Sequence, residues 1–167
     1  YAFVLGGKTG NLHGEATYLK ANDVKAMGMQ DDDKIWTVGA DYQTGKLNIN
    51  AMYLKGDNDY IDSLKDADDD GYVFGLNYAG AETSKPGSWG LYAKYYDQAA
   101  PTVLAHTMNG DYTMFKEYGF KGYMVGGNLT VAKNMVATVE FYDLKGKGGD
   151  YKNEHARTLW SELNVTF

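Results

Sequence analysis

Apolar and polar residues alternate one for one through most of the chain, the period at which successive β-strand side chains fall on opposite faces. In "RTLWSELNVTF", residues 157–167, Leu159, Leu163, Val165 and Phe167 share one face, with Ser161 the exception. Thr158, Trp160, Glu162, Asn164 and Thr166 share the other. Just upstream, Met135, Ala137, Val139 and Phe141 oppose Val136, Thr138, Glu140 and Tyr142. The same period predicts nine strands, at roughly 1–8, 11–20, 34–44, 46–56, 71–80, 87–97, 119–132, 134–144 and 156–167.

The connections alternate too. "KTGN", "TGK", "GAETSKPGS" and "AKN" are short turns, whereas "ANDVKAMGMQDDD", "GDNDYIDSLKDADDD", "DQAAPTVLAHTMNGDYTMFKEY" and "KGKGGDYKNEH" are long and polar. Short turns at one end and long loops at the other are the pattern of an antiparallel up-and-down outer-membrane β-barrel. The aromatic residues sort by the same ends. Tyr18, Trp36, Tyr53, Tyr72, Tyr95, Tyr123 and Phe141 fall near the long loops on the apolar face. Tyr42, Tyr78, Trp89 and Phe167 fall near the short turns on that face, with small aliphatic residues between the two sets. Two aromatic girdles around an aliphatic band are what a lipid-facing surface needs. A soluble sandwich also alternates, but has no reason to gather aromatics at both ends of one face. From Tyr72 to Tyr78 the band rises only about 15 Å at ~3.3 Å per residue and ~40° of tilt, short of the ~25 Å usual for such barrels.

Composition narrows the partners. The 167 residues carry a net charge of −6, so no basic stripe is available for nucleic acid. There are no cysteines, which excludes disulfides and thiolate metal sites. Glycine (21) and tyrosine (15) are abundant and proline (2) is scarce, as many-stranded β-chains require. No apolar run reaches the ~18 residues of a membrane-spanning helix. The first residues, "YAFVLGG", already read as strand, which predicts a processed chain or a piece of a longer one.

The stretches "GNLTVAKNMVATVEFYDLKGK" and "ARTLWSELNVTF" resemble the C-terminal hairpins of porins with S-layer-homology domains, the OmpM type of diderm Firmicutes. The likeness is best over residues 119–167 and weaker over 1–118. A final alternating strand ending on Phe167 is similar to the signal read by the barrel-assembly machinery. The resemblance implies a homotrimer of porin barrels in the outer membrane, an N-terminal peptidoglycan-binding domain and a coiled-coil stalk; this chain has neither of the last two. With Phe167 at the periplasmic face, nine strands place Tyr1 on the opposite side. Bacterial barrels have an even strand number, and free edges in lipid cost several kcal/mol per unsatisfied group. Residues 1–167 are therefore expected to be the C-terminal portion of a barrel of about sixteen strands, with the N-terminal strands elsewhere.

The polar face is expected to line a water-filled lumen: His13, Glu15, Asp41, Asn48, Asn50, Tyr92, Lys94, Asn128, Glu140, Glu162 and Asn164, together with Lys8, Gln43 and Asn77. Their mixed charge argues against strong selection by sign. "DADDDG" places Asp66, Asp68, Asp70 and Gly71 at calcium-loop positions, but Asn77 replaces the final Glu and no helices flank it, so a solvated acidic loop is the simpler reading. Asp31, Asp32 and Asp33 read the same way. "GKT" at 7–9 lacks the first glycine of a phosphate loop, with Ala2 in its place. His13, His106 and His155 have no nucleophile at an identifying spacing, and the sequons at Asn128 and Asn164 lie inside strands. Lys8, Lys46, Lys85 and Lys133 put a cation at or beside every short turn.

These features lead to a passive porin for small hydrophilic solutes and ions, without catalysis or cofactor, set among outer-membrane lipid and lipopolysaccharide. Two alternatives remain open at this level. One is a small filled barrel serving as tether or adhesin. The other is a soluble β-sandwich that binds a ligand through its acidic loops.

Overall fold

The computed structural model is a single antiparallel sheet of nine strands in sequence order. They are β1 Ala2–Thr9, β2 Leu12–Ala26, β3 Met29–Thr44, β4 Leu47–Asp57, β5 Asp70–Ala79, β6 Trp89–Gln98, β7 Phe120–Ala132, β8 Met135–Gly146 and β9 His155–Val165. The backbone is described for residues 1–26, 29–65, 67–104 and 107–167, and side chains for those residues except 22–26, 29–32, 60 and 62. All nine expected strands are present, and their ends fall within two residues of expectation except where β2 and β3 meet.

That exception is a correction. Residues 21–33 were expected to form a long loop, but the β2–β3 ladder continues through a register shift between Ala21 and Val24 to the pair Ala26 and Met29. The polar composition of residues 21–33 speaks for the side chains alone. It does not report whether the backbone is paired, so period-2 patterning disappears while the ladder persists.

The sheet is not closed into a barrel. Among the described residues β1 pairs only with β2 and β9 only with β8. In an up-and-down sheet of nine strands β1 and β9 run in the same direction, so they could not meet as an antiparallel pair.

Register fixes the two faces. Tyr18 lies opposite Trp36, Tyr53 opposite Tyr72 and Tyr95 opposite Tyr123, all on one face. His13 lies opposite Asp41, Asn48 opposite Asn77, and Thr138 opposite Glu162, all on the other. Leu163 pairs with Ala137 on the apolar face, as the alternation of β9 requires.

The main buried core sits on the polar-residue face, at the long-loop end. Tyr96, Phe115, Phe120, Met124, Tyr142 and Leu144 cluster there, with Val103, Met108 and Tyr112 packed against them. Phe120 is 1% exposed and Leu144 is fully buried. The connection from β6 to β7, expected as a long polar loop, therefore folds back over the sheet. Two glycines permit it. Gly119 has φ of 80° where the chain turns into β7, and a Cβ there would meet the backbone of residues 98–100. At Gly110 a Cβ would stand 2.6 Å from the Tyr142 ring, so only glycine lets the loop lie so close. A short helix, α1 Asp59–Asp62, occupies the β4–β5 connection.

Candidate functional site

The sheet presents two chemically distinct faces. On the apolar face every strand contributes exposed hydrophobic side chains. Leu5 on β1 is 79% exposed and Leu159 on β9 is 74% exposed. Between them Val38, Ile49, Phe74, Leu76, Leu91, Val125 and Val139 are exposed as well. The long-loop aromatics make a continuous row across the sheet. Tyr18 and Trp36 lie 4.2 Å apart between ring centroids, Tyr72 and Tyr95 6.4 Å, and Tyr123 and Phe141 6.5 Å. Tyr53 completes the row by its pairing with Tyr72. Tyr1 and Phe3 extend it to β1, an extension alternation alone did not single out. At the short-turn end Tyr78 and Trp89 lie 5.9 Å apart, Tyr42 is half-exposed, and Phe167 is fully exposed beyond β9.

Two of the long-loop phenols bond carboxylates on their outer side. Tyr53 donates to Asp70 at 3.2 Å and Tyr72 to Asp97 at 3.4 Å. Each ring thus lies among aliphatic residues with its hydroxyl toward a carboxylate, an amphipathic arrangement.

Two hydrogen-bond networks order the polar face. In the first, His13 Nδ1 lies 3.0 Å from Asp41, Asn48 Nδ2 donates to Asp41 at 3.1 Å, and Asn50 and Asn77 each donate to Asn48 Oδ1 at 3.1 Å. This chain of amides crosses β2 to β5. In the second, buried Glu140 accepts from the Tyr92 hydroxyl at 2.8 Å, the Tyr142 hydroxyl at 2.6 Å and Asn109 Nδ2 at 2.9 Å. Three donors on one carboxylate offset the cost of burying its charge. The second network also holds the returning loop, because Asn109 lies in it, and the backbone N–H of Asp111 donates to Thr158 Oγ1 at 3.0 Å. Within the loop Asp111 accepts from the Thr113 hydroxyl at 2.7 Å and its backbone N–H at 3.0 Å. These bonds from Thr113 hold the Asp111 carboxyl below its ordinary range. A cavity of about 370 Å³ remains between loop and sheet, lined by Lys94, Glu140, Asn77, Tyr92 and Asn109 among others.

The expected lining residues thus share one face, but they do not form one uniform lining. His13, Asp41, Asn48 and Asn50 join in one network, with Glu15 beside them bonded to Thr17. Tyr92 and Glu140 join in the other, with Lys94 on the same cavity. Asn128 serves the short-turn end, where its Oδ1 accepts from the Ala81 N–H at 3.0 Å. Glu162 and Asn164 lie on this face of edge strand β9, apart from both networks. The long-loop half of the face is apolar and covered. Asn109, Asp111, Thr158 and Tyr142 were not anticipated as site residues. A signal did exist, since Val103, Leu104, Met108, Tyr112, Met114 and Phe115 are too apolar for a loop that meets only water.

Asp68 and Asp70 each have a protein partner: Asp68 pairs with Lys147 at 3.1 Å and Asp70 accepts from Tyr53. Asp66, His106 and the side chains of Asp31 and Asp32 lie outside the described residues. Among the described residues no three His, Asp or Glu side chains gather as metal ligands. Burial pulls the Lys147 pKa down, but hydrogen bonds to Asp97 and Asp68 outweigh it and hold the ammonium above its ordinary value. Lys147 thereby ties the β8–β9 loop to the acidic β4–β5 loop and to β6.

No protein-family model matches the chain, and no curated protein matches it significantly.

Proposed function

We propose that this chain is the C-terminal part of an outer-membrane porin, a passive channel for small hydrophilic solutes and ions. The observation that carries this reading is the apolar face, exposed on all nine strands and bordered by aromatic rows. Soluble monomers rarely expose contiguous apolar patches beyond a few hundred Å², and among the described residues no second sheet covers this one. Lipid is the cover that matches its chemistry.

The open edges of β1 and β9 then require further strands, because unsatisfied backbone groups cost several kcal/mol each in hydrocarbon. An odd number of added strands restores antiparallel closure, and seven more reach the sixteen suggested by the resemblance to porins with S-layer-homology domains. That resemblance also proposes a homotrimer and peptidoglycan attachment through an N-terminal domain. In this barrel the polar face lines the lumen, and the loop over 99–119 narrows it. Solutes on this side pass Lys94, while Glu140 holds the loop from beneath. The reading assigns the chain no catalytic step and no cofactor.

The same loop favours a second reading, in which the lumen is filled and the barrel acts as a tether or adhesin. Reconstitution of the full-length protein in planar bilayers separates the two. Ohmic conductance is the expected result, and a protein that folds into vesicles yet conducts nothing supports the filled barrel.

A further inference from the structure

Beyond the long-loop aromatic row, on the same face, the strands end in charged side chains. Most are internally paired: Lys34 with Asp57 at 3.0 Å, Lys55 with Asp69 at 2.6 Å, and Asp97 with Lys147 at 2.6 Å. The exception spans β7, β8 and β9. Lys121 stands directly across from Lys145, and Lys145 directly across from His155. Like charges directly opposite one another weaken a sheet, and among the described residues no carboxylate forms an ion pair with either lysine. The carboxylates beside them in the ladder are already engaged. Asp143 is held by His155 at 2.5 Å and by Arg157 Nε at 3.0 Å, and Asp97, opposite Lys121, belongs to Lys147. Among the described residues neither Lys121 nor Lys145 has an ion-pair partner, while the terminal amino groups of Arg157 remain available.

Their depth is set by the same strands. Lys121 is one alternation beyond Tyr123, Arg157 one beyond Leu159, and Lys145 two beyond Phe141. An alternation is about 7 Å along a strand. If the aromatic row marks the edge of the hydrocarbon, these cations stand among the headgroups, where long basic side chains extend toward water.

We propose that Lys121, Lys145 and Arg157 form a binding patch for the phosphate of a lipid headgroup in the leaflet at the long-loop end. The proposal rests on the lipid-facing reading of the sheet. A phosphate monoester supplies the missing anion with three strong acceptor oxygens. It relieves the Lys121–Lys145 repulsion and takes charge-assisted hydrogen bonds from Arg157.

The test compares the full-length wild type with K121Q/K145Q, with the charge-preserving K121R/K145R, and with K46Q/K133Q, which removes two lysines from the opposite, short-turn end. Each is reconstituted in phosphatidylcholine vesicles containing equal minor fractions of lipid A and dephosphorylated lipid A. Flotation is scored first, and the lipids retained after detergent extraction are then counted by native mass spectrometry. Wild type, K121R/K145R and K46Q/K133Q are expected to retain lipid A over its dephosphorylated form by about thirtyfold, from ~1 kcal/mol for each of Lys121 and Lys145. K121Q/K145Q is expected to fall to near parity while still floating. Wild-type protein that floats without preferring lipid A overturns the patch alone, as does an unchanged preference in K121Q/K145Q. Loss of the preference in 10 mM inorganic phosphate would assign the patch to soluble phosphate and overturn the lipid assignment. Wild-type protein that fails to float overturns the lipid-facing reading itself. Should K121Q/K145Q fail to fold, the wild-type comparison of the two lipids still decides.

Discussion

Single side chains carry the clearest contrasts. Val139 and Thr138 are neighbours on β8, but Val139 lies between Phe141 and Ala137 on the exposed apolar face, whereas Thr138 pairs with Glu162 and Asn128 on the polar one. An Arg at 139 should destabilise the protein in bilayers by about 2–4 kcal/mol, the usual cost at mid-depth on a lipid face. An Arg at 138 finds the Glu162 carboxylate and should cost little. Denaturant titration of both variants in vesicles measures the difference, and equal stabilities would contradict the assignment of faces. Glu140 offers a second contrast. Glu140→Ala leaves the Tyr92 and Tyr142 hydroxyls and the Asn109 amide without their acceptor, each a loss of about 1–3 kcal/mol if the group stays buried. The expected outcome is faster amide exchange across 107–118, while the strand ladder of β1–β4 stays protected. Exchange unchanged in that loop would show that Glu140 does not hold it. Asp111 adds a pH dependence. Its folded pKa is depressed, so its contribution is complete above the ordinary carboxylate range near pH ~4 and is lost as pH falls through the lower folded value. The loop should therefore loosen in acid, and Asp111→Ala should flatten that dependence in the same exchange experiment.

At the scale of elements, what could be read in advance was whatever has a period. β9 shows why: a one-residue slip would carry Leu163 to the polar face and Glu162 to the apolar one, so alternation and register specify each other, and the pairing of Leu163 with Ala137 follows. The strand ends at β4, β5, β7 and β8 were legible for the same reason. The far end of the β2–β3 hairpin was not, because backbone pairing there continues through a polar stretch without alternation, whose composition resembles that of a loop. The loop over 99–119 was not legible either. Its contacts run between residues far apart in sequence, such as Asn109 with Glu140 and Asp111 with Thr158, and no local pattern encodes them. Its apolar content was the available clue. Gly110→Val should test the element directly. The added side chain collides with the Tyr142 ring, lifts the loop and, in the porin reading, raises single-channel conductance; conductance equal to wild type would show that the loop does not limit flow.

For the whole molecule, half of the candidate site was legible. The division into an apolar and a polar face came from alternation, and the girdle aromatics Tyr18, Trp36, Tyr72 and Tyr95 do meet across strands. The two networks on the polar face, and the covered long-loop half, depend on which strands stand next to which. Electrostatics belongs to this scale as well. The net charge is −6 and the β4–β5 segment is rich in Asp, so in the porin reading the channel should favour cations modestly at low salt. Reversal potentials should show that bias fading as the Debye length falls from ~30 Å at 0.01 M to ~3 Å at 1 M. The central claim is that one face of this sheet meets lipid and the other meets water, and β9 tests it most directly. Residues 1–167 contain no cysteine, and with any cysteine elsewhere in the full-length protein replaced by serine, single cysteines at 159 through 165 can each carry a spin label in vesicles. Collision rates with oxygen, which concentrates in hydrocarbon, and with a water-soluble nickel chelate should then alternate residue by residue. Labels at 159, 161, 163 and 165 should be oxygen-accessible, and labels at 160, 162 and 164 chelate-accessible. A flat profile, or one with chelate access at 163 and oxygen access at 162 and 164, would contradict the account.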